Sequence, residues 1–397
     1  MPENATIPNL ANTIIDTCAR CGKCKANCPA YEEGITGKPR WEIFSARGRI
    51  RLGQGLLDGK IPLTETIVKS FYTCFFCNNC VEDCPSGTKV TELIRAVRGY
   101  IASKGLQPPG ITALESNLGS SGDIFGMGGG DRLMWALNIE DKVQERTNTP
   151  SEVLYFVGCQ ESFKGSLAEI PENLVLTLLH LGIDFTLLGE KELCCGNPYL
   201  LAGDETKCFE QVEKNIAAIT SLRASTVIFT CPGCLNTFKK YEKHVSTVLP
   251  FKIKFALEFL SDLLSKKKLK FPGGVVFGTA VYHDPCELGR HLGIYDAPRA
   301  ILKAIPNLKL LELDKIRENA MCCGGGGLVG ACDKNFSIEQ ARRKIIEVLG
   351  KQPDVLITSC PACFDTLEGA RGTVEQAQQL KVKDIFKVIA EALRLSS

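Results

Sequence analysis

The chain has 397 residues, of which 44% are hydrophobic and 23% charged, with a formal net charge of +2. That length calls for two or three domains, and the near-neutral balance supplies no strong field for nucleic acid or an anionic membrane surface. Met1–Asn12 is polar and lacks the apolar stretch of a secretory signal, and no apolar run approaches the ~18 residues of a membrane span. The expected location is therefore cytoplasmic, where the 20 cysteines read as metal ligands rather than disulfides.

In chain order, the first signal is Cys18-x2-Cys21-x2-Cys24-x3-Cys28-Pro29, which recurs as Cys74-x2-Cys77-x2-Cys80-x3-Cys84-Pro85. This run binds [4Fe–4S] cubanes in two-cluster ferredoxins, the fourth cysteine of each run serving the other cluster. One cubane is thus expected on Cys18, Cys21, Cys24 and Cys84, and a second on Cys74, Cys77, Cys80 and Cys28. A pair of zinc sites is the alternative, and the doubled spacing with its trailing proline argues against it. Forty-five residues separate Cys28 from Cys74. Apolar periodicity over Trp41–Leu57, Ile61–Tyr72 and Thr91–Ser103 predicts helices, so residues 1–104 read as an α-helical ferredoxin domain. Arg47, Arg49 and Arg51 are expected to be solvated.

Residues 105–150 turn loop-like, with Pro108-Pro109-Gly110, a Gly119–Gly122 turn and a run from Gly126 to Gly130. The stretch reads as a Gly/Pro-rich linker without a packed core of its own, strapped along the next domain.

Two α/β units are expected beyond it, over 151–270 and 271–397. In the first, Val153–Val157, Asp184–Leu188 and Thr226–Thr230 read as strands, with helices over Asn173–Leu181 and Glu205–Arg223. In the second, Ala280–His283, Leu308–Leu313 and Val355–Thr358 are strands, with helices over Ala297–Ile305 and Ser337–Leu349. Strands joined by helices imply parallel sheets, whose ligands sit beyond the carboxyl ends of the strands. The units share a cysteine register. Cys159, Cys194-Cys195 and Cys231-Pro-Gly-Cys234 are matched by Cys286, Cys322-Cys323 and Cys360-Pro-Ala-Cys363, 127–129 residues further on. Thiolate sulfur selects zinc, copper(I) or iron–sulfur clusters. Five thiols exceed the four that structural zinc or a cubane takes, so the fifth is either a spare or the mark of an unusual cluster. The fold class is therefore α/β with an α-helical ferredoxin domain, the α/β part being two tandem pseudo-symmetric domains.

Cys208 and Cys332 fall outside these sets and read as buried or incidental thiols, and Lys266–Lys270 reads as a solvated linker. His283 and His291 flank the second site, where they would either donate protons to a leaving thiolate or support the loop. Gly325-x-Gly327-x-x-Gly330 matches a dinucleotide fingerprint, but it follows Cys322-Cys323 rather than a strand. Close backbone approach to a cluster or an anionic substrate accounts for these glycines better.

The doubled Cys…CysCysGly…CysProxCys pattern resembles the cysteine-rich "CCG" domains of heterodisulfide reductases. With the ferredoxin runs, the chain from Cys18 to Cys363 is similar to the D-type iron–sulfur subunits of heterodisulfide reductases. It also resembles iron–sulfur subunits of glycolate, lactate and glycerol-3-phosphate oxidation and of benzoyl-CoA reductase-type complexes. The resemblance implies two noncubane [4Fe–4S] clusters beside the two cubanes. Cys159, Cys194, Cys195, Cys231 and Cys234 would hold one, and Cys286, Cys322, Cys323, Cys360 and Cys363 the other. It implies electrons passing from a partner through the cubanes to the noncubane pair, which would reduce or form a disulfide. The alternative is a pure electron-transfer subunit between a flavoprotein or cytochrome and another catalytic subunit. Expected partners are a flavoprotein, an HdrA-like subunit or a membrane cytochrome b, the last giving peripheral membrane attachment, with a disulfide or thiol as substrate. No cysteine of either CCG set is missing, which favours the heterodisulfide reductase side.

Overall fold

Short helices, with little apolar surface apart from one face each, build the N-terminal region of this computed structural model, which describes residues 14–31, 41–245 and 248–395. The stretch read above for a leader lies outside these residues. Helices Ala46–Leu57, Glu65–Tyr72 and Val90–Ser103 bury Ile50, Val68, Phe71, Leu93, Ile94, Val97 and Ile101 in one cluster. Ser45 and Thr64 start the first two by accepting the N–H of Gly48 and Ile67, satisfying donors that a first helical turn leaves open.

Of the three arginines expected in solvent, Arg49 is not there. It is 1% exposed, with Nε donating to Ser70 O at 2.7 Å and Nη2 to Thr73 Oγ1 at 3.3 Å. The last carbonyls of the Glu65–Tyr72 helix have no intrahelical partner, and Arg49 reaches them from the buried face of its own helix. Arg47 pairs with Glu42 and Arg51 is exposed.

The loop-like reading of 105–150 also needs correction. Helices Pro109–Ser121 and Glu140–Gln144 and a 3-10 turn Met134–Ile139 occupy much of it. Leu118, Trp135, Ala136, Ile139 and Val143 are buried in the same core as the first sheet. Pro109 stands in the first helical turn, where its missing N–H is harmless. Gly122, at φ 76°, closes the helix. These residues bound a helix rather than forbid one.

Each α/β unit holds a four-stranded, fully parallel sheet. The first comprises β1 (Val153–Phe156), β2 (Thr186–Leu187), β3 (Thr226–Phe229) and β4 (Lys252–Phe255), in the order β2-β1-β3-β4. The second comprises β5 (Gly278–Tyr282), β6 (Leu308–Leu311), β7 (Val355–Thr358) and β8 (Lys381–Asp384), in the order β6-β5-β7-β8. Strand order reverses between the first and third strand of each unit, the switch point at which such sheets bind ligands. The edge strands β4 and β8 were not foreseen. Lys252-Ile-Lys-Phe and Lys381-Val-Lys-Asp are short, lysine-bearing segments of the kind that blunts a sheet edge. One hydrophobic core runs through both units, and Lys387–Glu169 and Lys164–Asp365 ion pairs join them. No helix of the described residues is long and apolar enough to cross a membrane.

Candidate metal centres

The ferredoxin cysteines gather in two pockets. One of about 330 Å³ is lined by Cys18, Cys21, Cys24 and Cys84, and one of about 340 Å³ by Cys28, Cys74, Cys77 and Cys80. Each pocket thus takes three cysteines from one run and the fourth from the other, the grouping the spacing predicts. Cys21 is exposed, whereas Cys28, Cys74 and Cys77 are buried. Burial, then the neighbouring thiols, pushes Cys24 up to about 11 and Cys80 well above the usual thiol range. Packed thiols of this kind keep their protons until a cation displaces them.

The α/β cysteines sit where the topology delivers them. Cys159 follows β1 across Gly158, and Cys286 follows β5. Cys231 and Cys360 leave β3 and β7 directly for the helices Pro232–Val245 and Pro361–Arg371. In Cys-Pro-x-Cys the first cysteine caps a helix, proline begins it, and the second lies in its first turn. Free backbone N–H groups there favour anionic sulfur.

The contacts around the second cysteine of each pair repeat, Cys195 with Cys194 and Cys234 and Cys323 with Cys322 and Cys363. The first cysteine of the pair instead bonds Cys159 in one unit and Cys77 in the other. Cys159 Sγ lies 3.5 Å from Cys194 Sγ, and Cys363 Sγ lies 3.1 Å from Cys323 Sγ. Donation from Cys194 and Cys234 holds Cys195 below the usual thiol range, and donation from Cys322 and Cys363 does the same for Cys323. The glycine after each Cys-Cys pair is left-handed, Gly196 at φ 85° and Gly324 at φ 89°. A Cβ there would meet Cys208 O at 2.7 Å or Ser337 O at 2.5 Å, so only glycine lets the loop lie on the helix behind it.

The ferredoxin region touches the two units unequally. Cys77 shares a hydrogen bond with Cys322, and Cys28, Phe75, Cys77, Cys286, Cys322, Val329 and Phe336 form one buried cluster. Phe75 stacks on Phe336 with centroids 5.3 Å apart. Gly327, singled out within a dinucleotide-like pattern, has φ +66°, and a Cβ on it would lie 2.1 Å from Cys74 O. Close approach is indeed its role, but what approaches is the ferredoxin backbone. Arg290 Nε donates to Cys77 O, and His291 Nε2 lies 2.8 Å from Phe76 O, so His291 supports the loop. His283 differs. It is 1% exposed, neither ring nitrogen has a partner, and its ring lies with Cys323 and Cys363 in a group whose donor atoms are within 4.8 Å of one another. Burial lowers it to about 3, so the ring is neutral.

Several polar groups at the sites were not singled out by pattern. Glu192 accepts from Val157 N, Gly158 N and Arg132 Nη1, holding the loop into Cys159. Glu161 Oε2 accepts from Tyr155 and Thr230, and burial pushes its carboxyl well above the carboxylate range. Glu161 stands two residues after Cys159 and Arg290 four after Cys286. Proximity to a cysteine was their only sequence signal.

The comparisons with known proteins agree with this layout. A cysteine-rich CCG domain model matches residues 153–239 and 280–368, and a 4Fe-4S dicluster domain model matches 14–88. The D-type subunit of the dihydromethanophenazine:CoB–CoM heterodisulfide reductase of Methanosarcina acetivorans is 32% identical over 96% of this chain and 95% of its own length. The chain belongs to the family of heterodisulfide reductase D-type subunits. The corresponding protein of Methanosarcina barkeri is 31% identical over the same shares. The EtfAB:quinone oxidoreductase of Syntrophomonas wolfei is 25% identical over 96% of this chain but only 58% of its own length. As a member of the D-type family, the chain is an iron–sulfur oxidoreductase component of a heterodisulfide reductase-type complex. Crowded all-sulfur donor sets fit iron–sulfur clusters.

Proposed function

We propose that the two CCG units act together to reduce, or in reverse to form, a disulfide. The balance is RS–SR′ + 2 e⁻ + 2 H⁺ → RSH + R′SH, so one S–S bond breaks and each sulfur gains an electron and a proton. Cys18, Cys21, Cys24 and Cys84 hold one cubane, and Cys28, Cys74, Cys77 and Cys80 the other. Cys159, Cys194, Cys195, Cys231 and Cys234 hold one noncubane cluster, and Cys286, Cys322, Cys323, Cys360 and Cys363 its counterpart. Bound clusters supply electrons one at a time, so two are needed for each S–S bond.

The observation that carries the reading is the gathering of all five thiols at the same strand ends in both units, with matching contacts around Cys195 and Cys323. The chain's residues add orientation and protons. Glu287 bonds to Asn236 of the first unit at 2.6 Å, and its charge bears on Cys231 and Cys286 alike. That supports two sites facing a shared cleft. Glu161 Oε2 lies 2.9 Å from Tyr155 Oη and 2.6 Å from Thr230 Oγ1, and burial, then the charge of Cys231, holds its carboxyl well above the carboxylate range.

The exposed Cys21 loop is the entry for electrons from a redox partner, whether a flavoprotein, an HdrA-like subunit or a membrane cytochrome b. The last of these would give a cytoplasmic subunit held peripherally at the membrane. The two Methanosarcina relatives are named as subunits of a CoB–CoM heterodisulfide reductase, and a mixed disulfide of two organic thiols is the substrate class proposed here. The second reading is a pure electron-transfer subunit, favoured by the likeness to EtfAB:quinone oxidoreductase. Anaerobically reconstituted protein decides between them when titrated with thiol. A new paramagnetic signal supports chemistry in the CCG units, and an unchanged spectrum supports conduction alone.

A further inference from the structure

The buried cations beside the two CCG sites are compensated differently. Beside the first site Arg132, from the segment before the first unit and 3% exposed, pairs with Glu192 at 2.8 Å, so a carboxylate cancels its charge. The second unit places Arg290 four residues after Cys286, where the first has Phe163 four after Cys159. Arg290 is 8% exposed. It donates to Cys77 O, to Glu318 O at 3.1 Å and to Ala320 O at 2.8 Å. It forms no ion pair among the described residues. A buried cation without a counter-charge is strongly disfavoured, and carbonyl dipoles offset only part of the loss. The groups that bear on it are the sulfurs of Cys77, Cys286 and Cys322, then Tyr295. The sulfurs, which become negative when they hold metal, are drawn from the second ferredoxin pocket and the second CCG site together.

We infer that Arg290 is a positioning residue whose counter-charge is the metal–thiolate assembly on both sides of it, and that it raises the reduction potential of the second cubane and the second CCG cluster together. Among the described residues, the cations lining the first ferredoxin pocket, at the exposed Cys21, are Arg20 and Arg47, and neither is buried. Electrons entering there are therefore drawn inward, toward the second unit. This rests on the cluster assignment above and not on disulfide chemistry.

The test is a potentiometric titration, followed by EPR, of the full chain reconstituted with iron and sulfide. In Arg290→Gln, the reduced-to-oxidised ratio of the second cubane at fixed potential falls about tenfold, which is ~59 mV for a one-electron couple. The second CCG signal moves the same way, and the first cubane stays in place as internal control. Arg290→Lys keeps the charge and holds both potentials near wild type. The inference is overturned if nothing moves at wild-type iron content, if all clusters move together, or if Lys shifts them as far as Gln. If Arg290→Gln loads less iron than wild type, Glu287→Gln is read instead. Removing that negative charge beside Cys286 must raise the second CCG potential, and an unmoved potential overturns local charge control. Full iron with no disulfide activity leaves this inference standing and counts only against the function proposed above.

Discussion

The two CCG units put the same thiol frame on the same strand order, yet they anchor it by different polar means. Tyr155 and Tyr282 are equivalent and alike, bonding at 2.9 Å to Thr230 and at 2.6 Å to Ser359. The next position diverges. Phe156 packs on Phe229 and Phe238 with centroids 5.3 and 5.5 Å away, whereas its counterpart His283 leaves two ring nitrogens unpartnered among sulfurs. Val157 relies on Glu192 to accept its N–H. Its counterpart Asp284 is itself the anchor, held by Arg299 at 2.7 and 2.8 Å. Topology thus fixes where the cysteines go, and the polar residues beside them set the electrostatics of each site. Among the described residues, ferredoxin cysteines share a buried cluster with the CCG cysteines Cys286 and Cys322 of the second unit, whereas from the first unit Cys74 meets only Leu201 and Ala202 in its cluster.

The sharpest way to break the comparison is to disable one unit at a time. Cys195→Ser and Cys323→Ser should each lower disulfide reduction by roughly 100-fold or more, with the double variant little worse, because groups acting as a unit are not additive. Steady-state assays with reduced viologen check this. Full activity in Cys195→Ser would leave the second unit working alone.

Removing a buried anchor should separate the units next. Glu192→Ala strands Arg132 without its partner and should destabilise the chain by about 3–5 kcal/mol. Asp284→Ala should cost less, about 1–3 kcal/mol, because Arg299 keeps Glu312 at 2.7 Å. Anaerobic denaturant titrations measure both.

The helix starts after the edge strands differ as well. Phe255 precedes the first unit's helix Ala256–Ser265, and Asp384 precedes the second's, Ile385–Ala392. Burial raises Asp384 from 3.8 to about 8. The folded carboxyl therefore keeps a proton that the unfolded one releases. The stability this adds is complete below pH 3.8 and is lost as pH rises to about 8, at about 1.4 kcal/mol per pH unit. Asp384→Asn should flatten that slope in unfolding measured against pH.

The smallest change is His283→Phe, which copies the first unit. Relieving two unpartnered nitrogens should stabilise the cluster-free chain by about 1–2 kcal/mol, while EPR of the loaded protein changes only at the second CCG site. Lower stability in the variant would show that the ring is there for packing.

How much of this was legible depended on the range of the interaction. The ferredoxin groupings follow from spacing because a cluster imposes its own geometry on a Cys-x2-Cys-x2-Cys-x3-Cys run. β1, β3, β5 and β7 were readable as unbroken apolar runs buried on both faces. β4 and β8 were not, because Lys252 and Lys381 give edge strands the look of loops. Arg49 looked like a surface residue because charge is local in sequence, whereas the helix carbonyls it caps are 21 residues away. The inequality of the units was equally hidden. It rests on Cys77 meeting Cys322 and on Gly327 meeting Cys74, contacts that no periodicity encodes.

The central claim is that paired CCG sites do disulfide chemistry, and anaerobic turnover tests it most directly. Reconstituted protein is given reduced viologen and a mixed disulfide such as the CoB–CoM heterodisulfide, and viologen oxidation and free thiol are counted together. The account predicts two thiols for every two electrons consumed, lost in Cys195→Ser and in Cys323→Ser. Protein carrying its full complement of clusters that oxidises no viologen and releases no thiol would contradict it.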